Sequence, residues 1–348
     1  MYLRSLLFIL LISVIFWGCS EKSPPVPDEP QLVTIDTLYK FMDFDSHGIS
    51  RPGSIEILTN GNIAVADGQI KKITIVTSDG DSVAQFGKEG RGPAEFIYPG
   101  NLTVASGLLN IVDANQFKVL EFDLDGNFVD SYGYESKAMG GAIALSDDRE
   151  FFTGANGENE KLIKWSKADA DTSLLFGEAK ISLIEDMDME ASRNDIANGR
   201  VPDYFKNNVT LIAGTDHLYA FLSSFSELRK YTMSGELVWQ KQVPLPDNDG
   251  IQKGIADAAK NMPNALPFVN YAASIKLYND NLFILGGKAR DKPQHITEID
   301  PNGNIVRFIQ LASPDFYFMD FVMDRQNELI YLSDMQSGLV YKTRLSES

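Results

Sequence analysis

Two stretches of the chain, residues 61–87 and 107–133, carry one pattern twice. In each, an apolar run ends on an aspartate (Asp67, Asp113) and a second alternating run follows (72–76, 118–122). An Asp-Gly turn comes next (Asp79-Gly80, Asp125-Gly126), and a last run closes on Gly87 or Gly133. The aspartate, the turn glycine and the closing glycine each recur 46 positions later (67 to 113, 80 to 126, 87 to 133). A period of about 40 to 50 residues holding several short strands is that of a β-propeller blade, a small sheet that buries its apolar faces only against neighbouring copies. The period therefore restricts the chain to an all-β ring. It leaves the chemistry open, because such rings host unrelated activities.

Six hairpins of the same kind can be counted: 62–67 with 72–77, 109–113 with 117–123, 150–154 with 161–166, 217–222 with 227–233, 281–286 with 294–300, and 328–333 with 339–344. The turn after the third strand recurs at Gly80, Gly126, Gly235 and Gly303, where glycine supplies the positive φ of a tight turn. The third blade keeps only Asp169-Ala170-Asp171 there. The sixth hairpin runs to the end of the chain, so that blade lacks an outer strand. Residues 32–38 alternate like a strand and have no partner in the first blade. They are expected to complete blade six and so remove the exposed edge of the ring. The propeller domain is then 31–348, a single unit despite its 348 residues because a ring grows by adding blades.

The balance of 48 acidic against 31 basic residues, a net charge of −17, repels phosphate backbones and offers no basic stripe. Nucleic acid is discounted as a partner. At the N-terminus, Arg4 precedes an apolar run over residues 6–17, short for a bilayer span and of the length of a secretory signal core. The run ends in Gly18-Cys19. Cys19 is the single cysteine of the chain, so neither an internal disulfide nor a cysteine-built zinc site is available. This arrangement resembles the lipobox of bacterial lipoproteins, with Phe16 and Trp17 departing from the usual residues before it. The resemblance implies a signal peptide over 1–18, lipidation at Cys19, and a membrane tether over 19–30, stiffened by Pro24, Pro25, Pro27 and Pro30. An uncleaved anchor, or a cysteine there by chance, is the other reading.

Residues 86–96 (Phe-Gly-Lys-Glu-Gly-Arg-Gly-Pro-Ala-Glu-Phe), then Tyr98-Pro99 and the run 109–113, resemble the NHL-type repeat. They are similar in particular to the six-bladed, NHL/TolB-like propeller lipoproteins of gut Gram-negative bacteria. That resemblance implies a six-bladed β-propeller at the outer membrane, facing the periplasm or the cell surface. It implies no common activity.

In a four-stranded blade the turn between the second and third strands and the link from the outer strand to the next blade emerge at one end. The other two turns emerge at the opposite end. Two links are long, from about 177 to 209 and from about 243 to 269, and both belong to the first end. Extra chain gathered at one mouth of a rigid ring is a common way to build a binding site. Residues 251–261 have helical spacing and are expected to lie across the pore. The first insertion holds the acidic run Glu185, Asp186, Asp188 and Glu190 and the aromatic pair Tyr204-Phe205. A solvated loop is the plain reading of the acidic run; its spacing does not match an EF-hand calcium loop.

Ligand-binding candidates at that end are Lys88 and Arg91 in the glycine-rich loop, His47, Tyr204, Phe205, and the aspartates Asp67, Asp113 and Asp334. The three aspartates share one slot before the hairpin turn, where an Asx-type turn competes with ligand contact. Arg91 is the anion-contact candidate, with a salt bridge to Glu95 as its structural alternative. His47, His217 and His295 lack the spacing that puts two ligands on one metal. Some six-bladed propellers hydrolyse lactones or cleave C–N bonds with a metal over the channel, and Glu56 on the first inner strand is the one candidate ligand for that chemistry. No nucleophile elbow or His-Glu-x-x-His motif occurs.

The reading is a membrane-tethered binding module without a cofactor that grips a protein, peptide or glycan at the loop-rich end. The alternative is a metal-dependent hydrolase or lyase using a divalent cation such as calcium. A third option, an assembly subunit, would show apolar outer edges.

Overall fold

The computed structural model describes residues 29–345 apart from 139–141, 147, 148, 169, 185, 263 and 265. The signal segment, Cys19 and most of the tether lie outside the described residues.

Six small antiparallel sheets are arranged as blades. The inner strands are Pro52–Ile57, Leu102–Ala105, Ile143–Leu145, Val209–Ala213, Ala272–Tyr278 and Phe318–Asp324. Each second strand is nearly continuous in its burial, such as Ile63–Asp67 or His217–Leu222, because it is covered on both faces by neighbouring blades. The outer strands, such as Ser82–Phe86, face solvent on one side and alternate in character. Six apolar clusters fill the six blade-to-blade seams, so the ring is closed by packing all the way round.

The turn glycines answer two demands at once. Gly126 has φ of +90°, and a Cβ there would lie 2.6 Å from the ring of Phe86 on the preceding blade. Gly235 repeats this against Phe176 of the blade before it, again at φ +90° and 2.6 Å. The outer-strand aromatic of one blade thus packs on the bare turn of the next, which ties the repeat of the glycine to the repeat of the interface.

The N-terminal segment departs from expectation. Gln31–Thr34 pairs in parallel with Ile305–Gln310, becoming a fifth strand on blade five rather than the missing strand of blade six. Val33 and Ile35 are buried against the seam between blades five and six, which is what the alternation of residues 32–38 serves. The strand that lies beside the last hairpin is the next one, Tyr39–Met42, antiparallel to Leu339–Arg344. Met42 then packs with Ile55, Tyr331 and Val340 in the seam between blades six and one.

Candidate functional site

A cavity of about 480 Å³ runs along the axis of the ring, lined by residues of all six inner strands. Tyr98 and Met335 stand at its loop-rich mouth; Glu56, Lys276 and Tyr278 lie further along. Neither long insertion reaches it. Helix α2 (Met189–Ala197) and helix α3 (Asn248–Asn261), the latter after the short helix α1 (Phe44–His47) and α2 in chain order, pack on each other beside the mouth. Ile196, Phe205, Ala259 and Val269 form their common core. Each insertion alone is too short to bury its apolar face, and the two come from adjacent links, so they cover one another.

This corrects two expectations. Helix α3 contributes no residue to the channel lining, and Phe205 is fully buried in the cap rather than open to a ligand. Tyr204 packs edge-on against it, ring centroids 5.9 Å apart. Of the acidic run, Asp188 caps α2 by accepting from the Ala191 N–H at 2.9 Å, and Asp186 and Glu190 are exposed. Glu185 lies outside the described residues; the other three acids are in the solvated arrangement.

The three aspartates are brought to the same structural task. Asp67, fully buried, accepts four backbone N–H groups: Ser50 and Arg51 at 2.5 and 2.8 Å, Gln69 and Ile70 at 2.8 and 3.1 Å. Asp113 accepts from Ile97, Tyr98 and Asn115 N–H at 2.7, 3.1 and 3.1 Å, and from the Gln116 amide at 2.8 Å. Asp334 accepts from Gln336 and Ser337 N–H at 2.9 and 3.2 Å. Asp67 and Asp113 therefore bind their hairpin turn to the incoming link, and in doing so Asp113 sets the backbone of Tyr98 at the channel mouth.

Lys88 is engaged with Glu95 at 3.0 Å, and Glu95 also accepts the Gly92 N–H at 2.8 Å. That backbone bond, followed by Lys88, holds the Glu95 carboxyl below the usual carboxylate range. The salt-bridge partner of Glu95 is thus Lys88; Arg91 meets Glu95 through its backbone, and the residue is exposed at the loop tip. His47 closes α1, where its Nδ1 accepts the Asp43 N–H at 3.3 Å and its Nε2 bonds the Gly80 carbonyl at 2.9 Å. His295 sits 3.8 Å from Asp247, and burial pushes its imidazole below the ordinary range against the pull of that carboxylate.

In the channel wall, Glu56, singled out from the sequence, is joined by Lys276 and Asp320, which sequence reasoning missed. Lys276 Nζ lies 3.4 Å from Glu56 Oε2 and 3.3 Å from Asp320 Oδ2, and donates to the Ile55 carbonyl at 3.1 Å. Asp320 also accepts from Ser54 Oγ at 3.1 Å, from Ile55 and Phe321 N–H at 3.0 and 2.9 Å, and from Ser274 Oγ. The side chains of Lys276 and Glu56 keep 15% and 21% of their surface, so they form the wall of an enclosed cavity rather than sheet interior. Burial pushes the Glu56 carboxyl up, with Lys276 pulling the other way and Asp320 adding to the push. Burial also opposes the charge on Lys276, but Asp320 and Glu56 together hold the ammonium above its usual range.

These residues do not fit a divalent cation. The place equidistant from both carboxylates holds an ammonium, and a dication a few ångströms from it meets a repulsion on the order of 5 to 10 kcal/mol at an effective dielectric near 20. Among the described residues no group of three or more His, Cys, Asp or Glu side chains is arranged to hold a metal ion.

Among the described residues, seven of the fourteen exposed large apolar side chains lie on connections: Phe44, Tyr98, Phe117, Met189, Met262, Phe268 and Tyr317. All seven are on links or second-turn hairpins, the loop-rich end. The other seven lie on outer or N-terminal strands, and among the described residues none occupies a turn of the opposite end.

Compared with known proteins, the sequence matches a family described as 6-bladed beta-propeller over residues 44–236, more than half of the chain. No curated protein matches it. Among solved structures it is similar to a putative exported protein from Bacteroides fragilis (TM-score 0.54, 12% identity, 91% of this chain and 99% of that one). It is also similar to a streptogramin B lyase (0.51, 15%, 90% and 88%). A catalytically inactive virginiamycin B lyase from Staphylococcus aureus, solved with quinupristin, is a third (0.51, 12%, 88% and 84%). At such identities the likeness is one of fold.

Proposed function

We propose, from the premise that the chain belongs to the 6-bladed beta-propeller family, that it is a membrane-anchored binding protein whose loop-rich end docks a protein, peptide or glycan. In this reading residues 1–18 are removed, Cys19 carries the lipid, and 19–30 tether the ring at the outer membrane, facing the periplasm or the surface. The observation that carries it is the segregation of exposed apolar side chains on connections to one end, around a channel mouth flanked by Tyr98. Tyr and Phe at exposed, rigidly held positions give contact area at small entropic cost, which is how partner surfaces are built. Arg91 at the adjacent loop tip adds a cation free to meet an anionic group.

The alternative, a metal-dependent hydrolase or lyase, draws on the fold shared with the two lyases. Against it stands the ammonium of Lys276 beside Glu56, the residue that chemistry would need.

The test compares two triple variants of the full-length protein in its membrane. Tyr98→Ser, Phe117→Ser and Tyr317→Ser together remove the docking surface; Val83→Ser, Val129→Ser and Val238→Ser remove equally exposed residues of outer strands. The first is expected to lose about tenfold or more of cross-linked partner, given that hot-spot aromatics cost upward of about 2 kcal/mol each. The second should retain it, and equal capture by both would refute the reading. Cys19→Ala should shift the protein from the membrane to the soluble fraction, and unchanged membrane association would refute the anchor alone.

A further inference from the structure

The wall of the channel divides into two arcs. On blades five, six and one it presents Ser274, Lys276, Asp320, Ser54 and Glu56, and on the adjoining blade two Asn101 and Thr103. Blades three and four offer Ala144, Leu145 and Ile212, and the Thr210 hydroxyl there is paired with Ser223 at 3.3 Å. Within the polar arc, some groups are spent and others are open. Lys276 faces Ile55 O, Glu56 Oε2 and Asp320 Oδ2 at 3.1 to 3.4 Å, and Asp320 is filled by Ser54, Ser274 and two backbone N–H groups besides. Glu56 accepts from Lys276 and from the Ile57 N–H, fewer than the roughly four bonds a carboxylate can take. The Asn101 amide and the Thr103 hydroxyl bond to no other group among the described residues. Ser54 Oγ accepts the Leu102 N–H at 3.1 Å, which sets blade two beside blade one with Asn101 toward the loop-rich mouth and Thr103 toward Glu56.

The open groups select a ligand by elimination. An anion would add a third negative charge to a wall that already holds two carboxylates against one ammonium. An ammonium group only donates, and would leave the Asn101 N–H groups without an acceptor. A hydroxyl both donates and accepts, so it answers a carboxylate, an amide and a hydroxyl alike. Hydroxyls along one edge and bare C–H groups on a face are the chemistry of a sugar ring, which matches a polar arc set across from an apolar one. Tyr98 adds an aromatic surface at the mouth, packed on bare backbone: a Cβ at Gly68 would lie 2.6 Å from its ring. The cavity of about 480 Å³ falls within the roughly 300 to 1,000 Å³ of small-ligand sites. We infer that the channel binds a neutral pyranose, with its hydroxyl edge on Glu56, Asn101 and Thr103 and its C–H face on Ala144, Leu145 and Ile212. This site is distinct from the docking surface proposed above, and each can fail without the other.

The experiment titrates the intact protein in detergent with the methyl glycosides of glucose, galactose, mannose, xylose, N-acetylglucosamine and N-acetylgalactosamine, read by saturation-transfer NMR and by thermal midpoint. At least one should receive saturation and, at about ten times its Kd, raise the midpoint by roughly 2 to 3 °C. Glucuronate and phenethylamine, the anionic and cationic probes, should bind at least about tenfold more weakly than that glycoside. Asn101→Leu combined with Thr103→Val should cut its affinity about tenfold or more while the midpoint without sugar stays within about 1 °C, because neither side chain bonds to the rest of the fold. Phe117→Ser combined with Tyr317→Ser, which impairs the docking surface, should bind the glycoside as wild type does. Response to none of these glycosides, preference for either charged probe, or wild-type affinity in the Asn101 and Thr103 variant would overturn the inference. Loss of binding in the Phe117 and Tyr317 variant would do so too, by moving the sugar to the docking surface. If the Asn101 and Thr103 variant does not fold, Thr103→Val alone carries that arm, with a loss of about three- to tenfold expected and unchanged affinity counting against the site.

Discussion

Asp113 is fully buried, and its carboxylate holds three backbone N–H groups and one side-chain amide. Nothing apolar could replace it, because truncation would strand those donors inside the seam between turn and link. Each buried unsatisfied donor costs about 1 to 3 kcal/mol. Asp113→Ala should therefore destabilise by about 3 kcal/mol in urea unfolding, and Asp113→Asn by less than half of that, because one amide oxygen still accepts. Asp67→Ala, which strands four backbone donors, should match it. An alanine variant of wild-type stability that fails only in partner capture would return these residues to the ligand. The slot itself was legible in the sequence as a recurring aspartate. Its bonding partners were not, since the incoming link that donates to Asp113 lies 15 and 16 residues upstream. The same distance problem hid the channel cluster more completely: Lys276 and Glu56 are 220 residues apart, and neither lies in the repeat's marked positions.

At the scale of elements, the two N-terminal strands have separate duties that predict separate failures. Removing residues 1–38 takes away Val33 and Ile35, each worth about 1.5 to 3 kcal/mol of burial. It leaves every blade with four strands. Removing residues 1–42 also takes Tyr39–Met42, uncovers the edge of Leu339–Arg344 and empties the place of Met42 in the seam. The first soluble form should be monomeric and less stable than the chain starting at residue 31; the second should self-associate in size-exclusion chromatography with light scattering. A monomeric second form as stable as the first would show that blade six does not need that strand. Of the run 32–38 expected as one strand on blade six, the structure makes a strand only of Gln31–Thr34, and on blade five. Period-two patterning reports that one face is buried and is silent on the partner, and a parallel fifth strand leaves the same pattern as an antiparallel fourth. The insertions behave alike: helical spacing in 251–261 was legible, but that the helix rests on α2 and Phe205 depends on two links meeting across adjacent blades.

For the molecule as a whole, charge and hydrogen bonding act on the same turns with opposite sign. A net charge of −17 makes the folded ring repel itself, and the turns opposite the loop-rich end carry exposed acids such as Asp79, Asp125 and Asp216. Two other turn acids do local work. Asp123 accepts the Asp125 and Asn127 N–H groups at 3.0 and 2.8 Å, and Asp300 those of Asn302 and Asn304 at 2.9 and 2.8 Å. Neutralising the first set relieves the field at no structural loss, so Asp79→Asn, Asp125→Asn and Asp216→Asn should each raise the midpoint by up to about 1 °C. Combined, they should shrink the rise that wild type shows when salt goes from low to physiological strength, because there is less repulsion left to screen. Asp123→Ala and Asp300→Ala remove the same unit of charge but open a turn that fixes the outer strand, and their midpoints should fall by about 2 to 4 °C, the effect of losing about 1 kcal/mol in a chain of this size. Scanning calorimetry at two ionic strengths separates the cases. Five shifts of one sign would mean that either the field or the turn bonds alone governs this end of the ring, and the division between them argued from its geometry would not stand.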